Sequence, residues 1–454
     1  MISARLILTT ACLLTPPCAR AGEATKPNVI FILTDDMGRG DLSALGGKQG
    51  ATPHLDRLAA EGTRFGQFYV AAPICSASRT AFTTGMYPAR WRINSYLHDR
   101  AGNKACEQAD WLDPSAPAVA RAFKQAGYAT AHFGKWHMGG GRDVQDAPLP
   151  SAYGFDESHV NVEGMGPRFE DFGSASQPTL NSADGRKYFR YDFTAYWVDR
   201  SIDFIKRHQA KPFYLELWPQ DVHTPHTPSE ESLAKTAVNG LAPAEHNFRA
   251  VLNEYDAQLG RLMDALRDLG LERNTIIVFS ADNGPEPSFD HARTLDQRGM
   301  KWSLYEGGIR EPFLVRWPGH IPAGKTNDAT IVSSTDYFPT ITKLAGIPAP
   351  AGARFDGLDQ SAAWLGGTPQ RTAPLFWEYG RKPKDYRYPK AGDKSPNVAV
   401  RDGDWKLLLN ADGTGIELYN LKSDPKEADN LAAREEATVN RLRQLALEWR
   451  HSLP

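Results

Sequence analysis

The chain has 454 residues, 41% of them hydrophobic and 23% charged, with a formal net charge of -2. This composition excludes a disordered chain and leaves room for one large core plus a smaller attached one. It also lacks the basic surplus that nucleic-acid binding draws on, so no nucleic acid is expected as a partner and any anion must be met by locally placed cations.

At the N-terminus, Arg5, the apolar run 6–14 and Ala19-Arg20-Ala21 follow the order of a secretory signal. Residues 1–21 are therefore expected to be a cleaved leader and the mature chain to be secreted or periplasmic. The run is too short to cross a bilayer, and no later segment approaches the ~20 apolar residues a spanning helix needs. Loss of the leader removes Cys12 and Cys18 and leaves Cys75 and Cys106, for which a disulfide is the plain alternative to the chemistry argued below.

Further along, short aliphatic runs end abruptly in polar clusters: 29–33 before Thr34-Asp35-Asp36, 128–133 before Gly134-Lys135, and 275–279 before Ser280-Ala281-Asp282-Asn283. Such runs suit strands buried on both faces. Apolar residues recur at helical spacing between them, over 53–62, 116–126 and 248–269. The alternation predicts an α/β fold, a mostly parallel sheet flanked by helices, with ligands gathering at the carboxyl ends of the strands. Near Gly346 the texture changes. Runs at 375–379, 398–400, 405–409 and 417–421, with turn signals Asp402-Gly403 and Asp412-Gly413, predict a small antiparallel sheet, and 432–449 a helix packed on it. The expected division is a catalytic domain over 26–345 and a smaller α+β domain over 346–454.

Asp35, Asp36, Asp282 and Asn283 offer hard oxygen donors from the ends of two strands, a set that suits Ca²⁺, with Mg²⁺ as the alternative, better than Zn²⁺. Cys75 lies in Pro73-Ile74-Cys75-Ser76-Ala77-Ser78-Arg79-Thr80, with Thr84-Gly85 a few residues on. Gly134-Lys135-Trp136-His137, Val222-His223-Thr224-Pro225, Asp282-Asn283-Gly284, Arg298-Gly299-Met300-Lys301 and Gly307-Gly308-Ile309-Arg310-Glu311-Pro312 follow in that order. Together these clusters resemble the type I sulfatases of the alkaline-phosphatase-like superfamily, from Asn28 to about Pro318.

The resemblance implies hydrolysis of a sulfate monoester. Cys75 would be oxidised to formylglycine by a maturation enzyme that reads Cys-x-(Pro or Ala)-x-Arg; Ala77 stands where proline is commoner. The hydrate of that aldehyde would attack sulfur beside one Ca²⁺ held by Asp35, Asp36, Asp282, Asn283 and residue 75 itself, with Asp282 as base, and re-forming the aldehyde would then expel sulfate. The resemblance further implies that Arg79 stabilises the hydrate, that Lys135 and Lys301 grip sulfate oxygens, that His223 or Lys301 protonates the leaving oxygen, and that His137 assists collapse of the sulfated intermediate. His226 competes for the acid role, but counting from the strand at 213–217 favours His223. His98, Arg142, His226 and Arg293 fall in loops expected to line the pocket mouth, and their polarity suits a sugar better than a flat aromatic ester; exo action on a sulfated carbohydrate is what the resemblance implies.

Overall fold

The strand Asn28–Thr34 is buried from end to end, with Val29, Phe31 and Leu33 packed on one side of the sheet and Ile30 and Ile32 on the other. In this computed structural model, which describes residues 26–161, 179–181, 187–238, 240–381 and 390–454, it is the centre of an 8-stranded sheet. The expected leader, with its cleavage signal, lies outside the described residues. Phe213–Trp218 and Thr275–Ala281 flank the central strand in parallel, and Ala129–Lys135 and Glu157–Asn161 extend the sheet in the same direction. Beyond Thr275–Ala281 the strand Phe313–Arg316 runs antiparallel. Burying both faces of continuous aliphatic strands requires a helical layer on each side. Cys75–Thr84, Val119–Gln125 and Tyr337–Leu344 cover one face, and Pro53–Glu61, Phe193–Arg207 and Pro243–Asp268 the other.

Three helix starts differ from expectation. Over 116–126 the helix begins only at Val119, because Ala116 N–H closes a turn on the Asp113 carbonyl and Ala118 is extended ahead of the first helical residue. The helix expected from 248 begins at Pro243, which occupies the first helical position where its missing N–H costs nothing; the polar residues that follow hide the apolar period.

The C-terminal sheet is antiparallel, in the order Leu375–Glu378, Val398–Asp402, Trp405–Leu409, Glu417–Asn420. Helix Glu436–His451 covers one of its faces through Val439, Leu442 and Ala446. It starts later than 432 because the Asn430 side chain accepts from Ala432 N–H and draws the preceding residues into a turn. The other face of this sheet, including Trp377, Ala399 and Leu408, joins the core of the large sheet.

Where the two sheets meet, Lys406 lies between Glu306 (3.0 Å) and Glu427 (2.9 Å), all fully buried. Burial pushes the Glu427 carboxyl up to about 7 despite Lys406. Glu306 is held low instead: Lys406, Arg310 and Arg401 together overcome the effect of burial. Between the ordinary carboxylate range and about pH 7, the folded chain keeps a proton on Glu427 that the unfolded chain has released. This group therefore makes stability fall as pH rises through that window. Glu427→Gln, whatever its constant cost, should flatten the corresponding part of a melting-temperature profile; an unchanged slope would remove Glu427 as its source.

Candidate active site

The carboxyl ends of the parallel strands converge on one point. Asp35 and Asp36 follow the central strand, Asp282 and Asn283 follow Thr275–Ala281, Lys135 is the last residue of its strand, and His223 lies in the loop after Phe213–Trp218. Asp36 adopts the left-handed conformation (φ 58), which a short polar residue tolerates, and its N–H donates to Asp282 Oδ1 at 3.2 Å. Cys75 is the first residue of helix Cys75–Thr84 and so sits at its positive end. The helix is buried along its whole length, with Thr80 and Thr84 satisfied by bonds to the carbonyls of Ser76 and Thr80. Gly85 ends it at φ 68, donating to the Ala81 carbonyl as a C-terminal glycine does.

Cys75 Sγ lies 3.5 Å from Asp35 Oδ1. Ligand atoms of Asp35, Asp36, Cys75 and Asp282 all fall within 4.8 Å of one another. Lys135 Nζ donates to Asp35 Oδ2 and Lys301 Nζ to Asp36 Oδ2, both at 2.6 Å. Arg79 donates to Asp282 Oδ2 through Nε (3.1 Å) and Nη2 (2.7 Å) and to the Lys135 carbonyl (3.0 Å), with its guanidinium 5.4 Å from the Trp218 ring centre. Burial opposes the charged forms of Asp35 and Asp36, yet Lys135 and Lys301 respectively lead in holding them below the usual carboxylate range. Asp282 goes the other way, raised to about 6 by burial and by Asp35 despite Arg79. Burial also pushes the Cys75 thiol up, which keeps it protonated and poorly nucleophilic.

Asp35, Asp36 and Asp282 against Arg79, Lys135 and Lys301 make a cluster of balanced charge. A divalent cation would leave it positive and receptive to an anion. The donor set fits Ca²⁺ or Mg²⁺. Asn283 Nδ2 donates to Asp36 Oδ1 (2.7 Å) and to the Gly284 carbonyl (2.8 Å), while its Oδ1 is buried and accepts no hydrogen bond. An oxygen left without a partner in so dry a place is what a hard cation would use. The loop is held tightly against Glu306–Ile309: a Cβ on Gly284 would lie 2.3 Å from the Gly307 carbonyl oxygen.

His223 Nδ1 donates to its neighbour's carbonyl, that of Thr224, at 2.6 Å, which turns Nε2 toward Asp36 Oδ2 at 3.5 Å. His226 faces elsewhere, its Nε2 on the Val222 carbonyl (3.0 Å) and its ring edge-on to Phe248. His137 is buried two residues beyond Lys135, at φ 49. Arg142 and His98, from separate loops, meet: Arg142 Nη1 donates to His98 Nδ1 at 2.9 Å, and the residue before His98 donates its N–H to Ser76 Oγ beside Cys75 (3.0 Å).

Arg293 departs from the reading that placed it at the pocket mouth. Its side chain is fully buried, paired with Asp41 (2.8 Å), and donates to the Asp36 carbonyl (2.8 Å). It braces the Asp36 loop because a buried carboxylate such as Asp41 demands a charged partner. Sequence reasoning missed both Asp41 and Trp218. Asp41 stands among several acidic residues with nothing to mark it, whereas Trp218, the last residue of a strand whose neighbours carry the site, was within reach. Cys75 and Cys106 are both buried and are not joined in a disulfide. Among the described residues, no helix is long and apolar enough to cross a membrane.

The sulfatase family profile matches residues 27–347. The chain belongs to the sulfatase family. A second profile, that of the N-sulphoglucosamine sulphohydrolase C-terminal region, matches 294–450. N-acetylgalactosamine-6-O-sulfatase of Bacteroides thetaiotaomicron is 28% identical, with 93% of each chain covered. Human arylsulfatase A is 32% identical over 92% of this chain and 86% of its own. The crystal structure of Ps i-CgsB with k-i-k-neocarrahexaose superposes with a TM-score of 0.77 at 26% identity, covering 94% of this chain and 93% of the other. The sulfatase found here is thus a sulfuric ester hydrolase built on the α/β fold described above.

Proposed function

We propose that this sulfatase releases sulfate from a sulfated carbohydrate by exo action, using formylglycine made from Cys75 by a maturation enzyme and one Ca²⁺ held by Asp35, Asp36, Asp282, Asn283 and residue 75. The observation that carries this reading is the convergence of four ligand atoms within 4.8 Å, ringed by Arg79, Lys135 and Lys301. When bound, the metal would hold and polarise the aldehyde hydrate and a sulfate oxygen. The chain's own residues do the rest. Lys135 and Lys301 give the sulfuryl oxygens fixed positive charge in a dry site, where it acts more strongly than in water. Arg79, anchored on Asp282 and the Lys135 carbonyl, presents its charge to residue 75 from a fixed position. His137 stays the candidate for assisting collapse of the sulfated intermediate.

His223 is the proposed acid. With Nδ1 committed to the Thr224 carbonyl, only the imidazolium carries a proton on the Nε2 that faces the centre. His223→Ala should therefore slow sugar sulfates by about 10²-fold or more while leaving activated aryl sulfates much less affected, since good leaving groups need little protonation. His226→Ala should change both substrates modestly. The reverse pattern would move the acid role to His226.

His98 and Arg142, paired beside the Cys75 helix, are the proposed sugar contacts, with His226 at the pocket's flank. Sulfated N-acetylgalactosamine is the first substrate to test, because several relatives carry the name N-acetylgalactosamine-6-sulfatase or N-acetylgalactosamine-6-O-sulfatase. Sulfate release from a panel of sulfated mono- and disaccharides tests the reading. Release from aryl sulfates alone, with every sugar refused, would overturn it.

A further inference from the structure

The loop that carries Lys301 is anchored by side chains of the C-terminal sheet region. Gly299 N–H donates to Asp393 Oδ1 (3.0 Å), Leu304 N–H to Ser395 Oγ (2.9 Å), the Tyr305 hydroxyl to Glu417 (2.8 Å) and Glu306 N–H to Glu427 Oε2 (2.6 Å). From the opposite side, Lys301 N–H bonds the Pro285 carbonyl at 3.1 Å and Trp302 N–H the Pro73 carbonyl at 2.9 Å. Lys301 projects from between these ties to reach Asp36. Asp393 is the tie nearest to it on the C-terminal side, two residues away along the chain. Its side chain is buried, its Oδ1 also bonds His291 Nε2 (2.9 Å), and its Oδ2 accepts no hydrogen bond. One carboxylate thus joins the loop that leaves Asp282 to the loop that carries Lys301. A burial this incompletely satisfied is a net cost in stability, so its contribution has to be sought in geometry.

We propose that Asp393 is a positioning residue for Lys301: it fixes the backbone at Gly299 so that the ammonium stays on the catalytic cluster, and it acts through Lys301 rather than on the substrate. The proposal rests on the reading of Lys301 as a sulfate-gripping cation. Misplacing a catalytic group by about 1 Å can cost on the order of 10²-fold in rate, and the flexible lysine stem can recover part of that loss. A fall of about 10- to 100-fold in kcat/KM is therefore expected for Asp393→Ala.

The test is a double-mutant cycle on calcium-loaded, formylglycine-converted protein, using an activated aryl sulfate so that weak variants stay measurable. Asp393→Ala should lose activity in the wild-type background and lose little more in Lys301→Ala, whereas Asp393→Asn, which keeps an acceptor for Gly299, should retain most activity. An equal loss in both backgrounds, or wild-type activity in Asp393→Ala, would overturn the proposal. Full activity in Lys301→Ala would remove the reading of Lys301 and this proposal with it, which sets that failure apart from an additive cycle. Should Asp393→Ala not fold, Ser395→Ala removes the Leu304 anchor and takes its place in the same cycle.

Discussion

Asp282→Ala should lower turnover by about 10³-fold or more and abolish stabilisation by calcium, because this carboxylate meets three demands at once. It is one of the clustered ligand groups, it receives Arg79 through two nitrogens, and it accepts the Asp36 N–H. Removing it also leaves the Arg79 charge buried beside fewer anions, a loss of about 3–5 kcal/mol for a broken buried pair, so Asp282→Asn is the companion variant. Thermal melts with and without a chelator check the metal claim. A site that binds only the folded chain gains about 2.7 kcal/mol at a hundredfold excess of ligand over Kd. The wild type should show such a calcium-dependent gain and both variants should lose it. A variant that keeps the gain and its turnover would take Asp282 out of the centre.

Cys75→Ala should be folded and inert, with a loss of about 10⁴-fold or more. The side chain is small and buried at the start of a helix, where alanine is a good helix former and the lost packing is modest. Cys75→Ser should be equally poor over many turnovers. A serine hydroxyl has no built-in way to expel sulfate once sulfated, whereas an aldehyde hydrate does. Far-UV circular dichroism and melting temperature, set beside aryl sulfate turnover, separate a lost nucleophile from a lost fold.

The parts of this architecture legible in the sequence were those where local pattern and tertiary role coincide. The run 29–33 is apolar throughout because helices bury both faces, and the acidic pair that follows Thr34 stands out against it at the carboxyl end, where ligands gather. The Asp282 loop was legible for the same reason, and Cys75 through its motif. Helix starts at Val119 and Pro243 were less so: a turn ahead of Val119 cuts the apolar stretch short, and the polar residues after Pro243 hide the period. Arg293 shows a deeper limit. A charged residue in a loop near the site reads as a pocket residue, and only the fold reveals that Asp41, far away in sequence, has already claimed it. The anchoring of Lys301 by Asp393 and Ser395 was out of reach on the same grounds, because those residues lie some 90 positions away and carry no periodic signal.

The most direct test of the account compares specific activity with the extent of formylglycine at position 75. Trypsin should release the peptide Phe65 to Arg79, and mass spectrometry of that fragment reads the converted fraction. Across preparations made with and without a co-expressed maturation enzyme, activity toward a sulfate ester should rise in proportion to that fraction and extrapolate to nothing at zero conversion. Full activity in protein whose peptide carries only an unmodified thiol would contradict the account.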